Sequence, residues 1–319
     1  MQRRTGARAV DERAAGLVLG ALLDLALGDP RRLHPVAGFG QLAAAAERRV
    51  WSDSRRRGVA YVLGCVGLPV AAGAAVERLA PRGAARVLVT ALCTWAVLGG
   101  RSLAREAGAM AGLLEAGDVV AARQRLSHLA GRDAADLGLD DLARASVESV
   151  AENTSDAVVA PLLWGAVAGV PGLLGYRAVN TLDAMVGHRT PRYARFGSGA
   201  ARLDDVTNLV PARVTAVLAA MTAPLVSGSP AAALAAWRRD ARQHPSPNAG
   251  PVEASFAGAL GITLGGSNSY EGRTEQRGTL GDGPLPTVAD LRRAVRLSTA
   301  VDVGACVVAA ALARRVRRP

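Results

Sequence analysis

Apolar positions along this chain come in blocks rather than in alternation. Six stretches are long and nearly free of charge: 14–28, 58–76, 87–100, 157–176, 214–237 and 297–313. A helix needs about 20 apolar residues to cross a bilayer, within a range of about 17 to 25. Four blocks reach that range unaided. The blocks 14–28 and 87–100 are shorter, a length that also suits a buried core helix or a re-entrant piece. The blocks consist mostly of Ala, Gly, Val and Leu. Small residues let helix backbones approach closely where lipid, not water, surrounds them. The pattern predicts an all-α fold: a polytopic integral membrane helical bundle, one membrane-embedded domain over 1–319, with amphipathic and re-entrant helices.

Between the third and fourth blocks the period changes. Leu103, Ala107, Met110 and Leu114 recur at helical spacing, and Val119, Ala122, Leu126 and Leu129 repeat it after Gly117 and Asp118. This predicts two amphipathic helices within a polar helical insert, 101–156. A small-residue helix is predicted over 254–266. The Gly, Pro and Thr content of 272–287 predicts a loop.

Composition sharpens this picture. Half of the 319 residues are hydrophobic, only 3% are aromatic, and the formal charge is +11. All 38 basic residues are arginine; there is no lysine. A Walker A phosphate loop and a Schiff-base mechanism both need lysine, so both are excluded. The scattered arginines and few aromatics offer no base-stacking platform, so no nucleic-acid partner is expected. An anionic lipid surface is the plainest partner for the positive charge. Were all six blocks to cross, the two sides would carry 17 and 21 arginines, so loop charge barely orients the chain. Arg314, Arg315, Arg317 and Arg318 favour a cytoplasmic C-terminus. Cys65, Cys93 and Cys306 lie inside apolar blocks and have neither disulfide nor zinc spacing.

The connecting segments hold four dense polar sets. The first is Gly28-Asp29-Pro30 with His34-Pro35, a stiff turn after the first block. The second is 148–156, running into the fourth block. Glu148, Glu152 and Asp156 follow at i, i+4 and i+8, and like charges at that spacing repel. One reading places a cation among them: oxygen ligands suit Mg²⁺, commonly held by one or two carboxylates plus substrate phosphates. The other pairs Arg144 with Glu148 and leaves the rest solvated. The third set holds Asn180, Asp183, His188, Arg189, Arg202, Asp204, Asp205 and Asn208. Its arginines can form ion pairs or clamp phosphate. The fourth is His244-Pro245-Ser246-Pro247-Asn248-Ala249-Gly250, followed by Glu253, a rigid loop with polar tips.

Taken together these strings resemble the cobalamin-biosynthesis membrane enzymes called CobD or CbiB, the adenosylcobinamide-phosphate synthases. The resemblance runs from about residue 14 to about 310. It is carried by Gly-Asp-Pro and His-Pro at 28–35, Glu-Asn-Thr-Ser-Asp at 152–156, Asn-Thr-Leu-Asp-Ala-Met-Val-Gly at 180–187, the Leu-Asp-Asp to Pro-Ala-Arg string at 203–213, His-Pro-Ser-Pro-Asn-Ala-Gly at 244–250 and Leu-Gly-Asp-Gly at 280–283. The family commonly has Tyr where His188 stands and an aromatic residue near Glu253, where this chain has Pro251-Val252.

The resemblance implies a multi-pass protein of the cell membrane with its active site facing the cytoplasm. It implies amide formation between a carboxylate of adenosylcobyric acid and aminopropanol or its phosphate. A carboxylate and an ammonium do not condense in water without activation, so ATP-driven acyl phosphate formation is the expected route. The expected roles follow. Glu152 and Asp156 hold Mg²⁺, with Glu148 as a weaker third. Asp183 and Asp205 orient the amine or a metal. Arg189, Arg202 and Arg213 contact phosphate, and His244 is the base. Asn153, Asn180, Asn208 and Asn248 hold substrate amides. Other corrinoid-assembly enzymes are possible partners. The alternative is a membrane carrier for a corrinoid or a metal ion. The second and third sets flank block 157–176, which holds Pro161, Pro171 and four glycines, so this block is expected to bend or re-enter.

Overall fold

The computed structural model describes residues 2–29, 34–129, 134–188, 190–270 and 273–316, with side chains within 12–266 and 278–316. The chain forms twelve α-helices and one two-stranded antiparallel sheet among these residues. Among the described residues, five helical stretches are long and apolar enough to cross a membrane: Arg55–Leu79, Ala84–Glu115, Leu139–Val186, Ser198–Val226 and Val288–Arg315. Their apolar faces point outward. Leu63, Leu68 and Leu79 on one helix, and Val303 and Val307 on another, are more than half exposed. A water-soluble bundle would bury such rows, so the outward faces belong to lipid. The fold is that of an all-α polytopic membrane protein.

Two compact units are assembled from interleaved segments. The chain therefore passes repeatedly from one unit to the other. The first unit comprises 1–99, 160–208 and 306–319. It contains α1 (Gln2–Leu27), α2 (Pro35–Val50), α3 (Arg55–Leu79), α4 (Ala84–Val97), α8 (Ala160–Val186) and the first part of α9 (Ser198–Thr222). Gly16 and Gly20 of α1 lie against Thr90 and Thr94 of α4; a Cβ at Gly16 would come within 2.5 Å of Thr90 Cβ. The two threonine hydroxyls donate back to Arg86 O and Thr90 O, which lets these helices touch through small residues. Tyr61, Val62, Leu182, Val186 and Phe196 form a core, with the Tyr61 and Phe196 ring centroids 5.2 Å apart.

The second unit comprises 100–159 and 209–305. It holds α5 (Gly100–Glu115), α6 (Val119–Leu126), α7 (Leu139–Thr154), the rest of α9, α10 (Pro230–Asp240), α11 (Ala249–Leu260), β1 (Leu264–Tyr270), β2 (Arg273–Leu280) and most of α12 (Val288–Arg315). Helices α5 and α6 bury Leu103, Ala107, Met110, Leu114, Ala122 and Leu126, the face their periodicity predicts. All twelve residues of α11 are buried.

Three expectations need correction. Block 214–237 is two helices, because the chain turns through Ser227 at φ 58 and restarts where Ser229 caps α10 with Pro230 behind it. Residues 254–266 are not one helix; α11 stops at Gly261, whose φ is 69. Residues 273–280, expected as loop, form β2, paired with β1 across a bulge at Gly265/Gly266.

Block 157–176 does bend, sharply enough to reverse. Gly169 adopts φ 69 and ψ −147, far from helical values. Residues on either side of it then meet: a Cβ on Gly165 would lie 2.8 Å from the Leu173 side chain. A straight helix would separate these residues by about 12 Å. Pro171 sits just inside the second half, where its missing N–H costs nothing. The Trp164 indole donates to Thr207 O at 3.0 Å, and the Tyr176 hydroxyl to Asn208 Oδ1 at 2.8 Å. Two residues of α8 twelve positions apart thus reach neighbouring positions of α9, so α8 folds back on itself.

Candidate functional site

This reversal builds the polar centre of the first unit. The second half of α8 presents Tyr176, Arg177, Asn180 and Asp183, and the start of α9 presents Asp204, Asp205 and Asn208. Asn208 accepts from Tyr176 and donates to Asp204 Oδ2 at 2.9 Å. Asn180 also hydrogen-bonds Asp204, and Asp183 and Asp205 stand within electrostatic reach of it. Arg177 donates to Asn180 Oδ1 at 3.4 Å. Oδ1 of Asp204 is buried with no hydrogen-bond partner. Three carboxylates thus gather at one place, steadied by two amides. The structure places Asn180, Asp183, Asp205 and Asn208, four of the expected site residues, around Asp204. It adds Asp204, Tyr176 and Arg177, which sequence reasoning gave no role. The signal for Asp204 in the sequence is its i, i+4 spacing to Asn208. Arg202 is exposed and His188 caps the end of α8 through Ala184 O. Arg189 lies outside the described residues.

In the second unit the acidic face of α7 divides. Glu148 points inward and is about 1% exposed. It stands 3.5 Å from Arg144 and accepts the Gly265 N–H at 2.8 Å, while Arg144 donates to the Gly265 carbonyl and to Asp141. One peptide of the hairpin is gripped from both sides, and φ 88 at Gly265 is reserved for glycine. Glu148 is therefore a structural residue. A cavity of about 370 Å³ beside this grip is lined by Asp141, Arg144, Thr263, Gly265, Gly266 and Leu285. Its one cation already serves two carboxylates, so it is no phosphate site.

Glu152 is exposed and Asp156 half-buried. Between them the helix widens into a π turn, Ser155–Val159. Such turns cost helical regularity and recur at functional positions. Asn153 donates to Ser149 O and Oγ, so its amide hydrogens serve its own helix. Thr154 ties α7 to Ser298 of α12 at 2.7 Å. Among the described residues no group of three or more His, Cys, Asp or Glu side chains is placed to hold a metal ion. The expected trio of Glu148, Glu152 and Asp156 does not form one, because its ends are eight residues, about 12 Å, apart along the helix. Of the three, Glu148 is turned inward, whereas Glu152 and Asp156 are not buried.

The fourth set is a folded corner rather than an open loop. His244 Nδ1 accepts the Ser246 N–H at 3.0 Å, which leaves the neutral ring's proton on Nε2. Nε2 faces Glu253 Oε1 at 3.6 Å, and both side chains are at most 2% exposed. In a place this sealed from water, His244 is badly situated to reach a substrate as a base. Arg213 donates to Asn248 Oδ1 at 3.0 Å and to Leu209 O, so two expected ligand contacts hold each other. Asp240, at the end of α10, accepts from Arg239, Gln243 and the Gly281 N–H. Burial pushes its carboxyl up, but the Arg239 guanidinium and the Gly281 N–H outweigh this and hold it below the usual carboxylate range. The Leu-Gly-Asp-Gly string at 280–283 thereby anchors β2. The first set repeats the corner: His34 Nδ1 accepts the Val36 N–H at 3.2 Å, and Nε2 lies 3.6 Å from Asp29.

Fold and polar centres together define a polytopic helical membrane protein with chemistry gathered at helix ends and at the α8 reversal. Residues 17–298 match the family described as CobD/Cbib protein, and the chain belongs to that family. The cobalamin biosynthesis protein CobD of Mycobacterium tuberculosis H37Rv is 56% identical over 310 residues, covering 96% of this chain and 97% of its own. Proteins of the same name from Geobacter metallireducens and Rhodobacter capsulatus are 45% and 44% identical, covering 90% and 89% of this chain and 92% of each relative. No solved structure matches.

Proposed function

We propose that this chain is a biosynthetic enzyme of the cobalamin pathway that joins aminopropanol, or its phosphate, to a carboxylate of adenosylcobyric acid. What supports the reading is the family match across 17–298, which contains all six motif strings quoted above. The chemistry follows from the reactants. The substrate carboxylate oxygen attacks the terminal phosphorus of ATP, giving an acyl phosphate and ADP. The ammonium gives up one proton to become the neutral amine, whose nitrogen then attacks the acyl carbon; phosphate leaves, and the nitrogen gives up a second proton.

Glu152 and Asp156 would hold Mg²⁺, which when bound neutralises phosphate charge. With no lysine in the chain, positive charge toward phosphate falls to arginine, and exposed Arg202 is the available one of the expected set. Arg213 acts indirectly, by fixing Asn248. The carboxyl groups around Asp204 suit an amine substrate. Asp204 Oδ1, with no bond of its own, takes the amine hydrogen, so Asp204 replaces His244 as the base. Asn180 and Asn208 hold Asp204 in place.

The test is purified protein in detergent with cobyric acid, aminopropanol or its phosphate, Mg²⁺ and ATP, followed for corrinoid amide and ADP. Both products are expected together. Absence of amide, with corrinoid uptake into vesicles carrying the protein, would replace the enzyme by a carrier.

A further inference from the structure

The reversal in α8 poses a problem that the rest of the first unit solves. Where a helix stops and restarts, the last carbonyls of one half and the first N–H groups of the next lose their partners. In a lipid-embedded protein, water is not there to take them. Here Arg13 of α1 donates through Nη1 to Ala166 O and Val167 O, both at 3.1 Å. Glu77 of α3 accepts the Val170 N–H through Oε2 at 3.2 Å. Guanidinium and carboxylate are 3.7 Å apart, and the two side chains are 10% and 11% exposed. They fill the space over Gly169: a Cβ there would meet the Glu77 oxygens at 2.6 and 2.9 Å and Arg13 Nη2 at 3.1 Å.

An ion pair serving only to bind α1 to α3 would need none of these backbone contacts. Each charge instead meets the backbone group of matching polarity, donor on carbonyls and acceptor on N–H. We propose that Arg13 and Glu77 are positioning residues: they lock the angle of the α8 reversal and so hold Tyr176, Asn180 and Asp183 against Asp204 and Asn208. As far as activity is concerned, this rests on the reading of that cluster given above; the geometric part does not.

The experiment uses full-length protein lacking Cys65, Cys93 and Cys306, spin-labelled at Ala184 of α8 and Val206 of α9, both exposed. Distance distributions and turnover per folded molecule are measured on the same samples. Glu77→Gln and Gly169→Ala are expected to shift or broaden the 184–206 distance. Both should lower kcat about tenfold or more, the scale of an ångström-level misplacement, with little change in either KM. The charge swap Arg13→Glu with Glu77→Arg is expected not to rescue, because the backbone polarity at 166, 167 and 170 cannot be swapped. Unchanged distances and unchanged turnover, with only a lower Tm, would overturn the proposal. Rescue by the swap would overturn it too, since the pair would then act by its own attraction. If Glu77→Gln does not accumulate in the membrane, Glu77→Asp keeps the charge, shortens the reach and is judged by the same two measures. If the wild type forms no amide, the distances alone decide for or against positioning.

Discussion

Asp204 and Asp240 are both carboxylates with little access to water, and their surroundings could hardly differ more. Asp240 meets the Arg239 guanidinium at 2.8 Å on both oxygens and takes the Gly281 N–H besides. Its charge is met on the spot, and the product is a fastened hairpin. Asp204 is held by the amides of Asn180 and Asn208 and stands beside Asp183 and Asp205, with one oxygen left without a hydrogen bond. Amides orient a carboxylate but do not neutralise it, and like charges at close range call for a cation from outside. At Asp240 an arginine meets the carboxylate and fastens structure, whereas at Asp204 amides hold it.

That contrast can be broken by experiment. The largest expected effect is Asp204→Asn, which should lower kcat by about 10²-fold or more without reducing the amount of folded protein, as read from amide formation and from detergent melting curves. Asp240→Asn should do the reverse. It should lose about 1.5–3 kcal/mol of folding free energy, the range for hydrogen bonds to a charged group, while turnover per folded molecule stays at the wild-type value. His244→Ala belongs on the Asp240 side. Leaving the Ser246 N–H and Glu253 unmatched in a dry corner should cost about 1–3 kcal/mol and leave the shape of the pH–rate profile unaltered.

A subtler effect concerns pH. The folded-state carboxyl of Asp240 is held low, so its contribution is fully present above the unfolded value of about 4. It is lost as pH falls through the lower folded value. The Tm gap between wild type and Asp240→Asn should therefore be constant from about pH 5 to 8 and close only below about pH 4. Smallest of all is Arg292→Ala. Its bidentate pair with Glu115 is half exposed on both sides, and such pairs add little. No shift in Tm is expected, and a clear drop would show that arginine pairing at the surface also holds this fold together.

Much of this was legible before any coordinates. The amphipathic faces of α5 and α6 could be read because one period repeats over several turns and the core lies on one side. The small-residue blocks announced close helix contacts, which Gly16 and Gly20 make. Pro171 and the glycines of block 157–176 announced a break, though not that Gly169 would be its apex. Strand β2 was not legible, since its Gly and Thr content reads as loop and its order comes from pairing with β1. Nor was the sealed state of His244 legible: its partners are its own backbone two residues on and Glu253, and only burial separates that arrangement from an exposed base. Glu148 read as a ligand for the same reason, because the Gly265 peptide that occupies it lies 117 residues away.

By itself, then, the order of residues determined the class of protein, the helical blocks, the absence of a lysine-based phosphate site and the six strings that mark the family. These depend on local period and composition, which any stretch of chain carries with it. Tertiary structure alone decided which polar residues are spent and which are available. Glu148, His244, Arg213 and Asp240 are spent on partners far along the chain or on packing that excludes water. Asp204 is set apart from these, because the α8 reversal brings two amides to it, with Asp183 and Asp205 within electrostatic reach. Whether a charge is neutralised depends on what lies within a few ångströms in space, and spacing along the chain does not contain that distance.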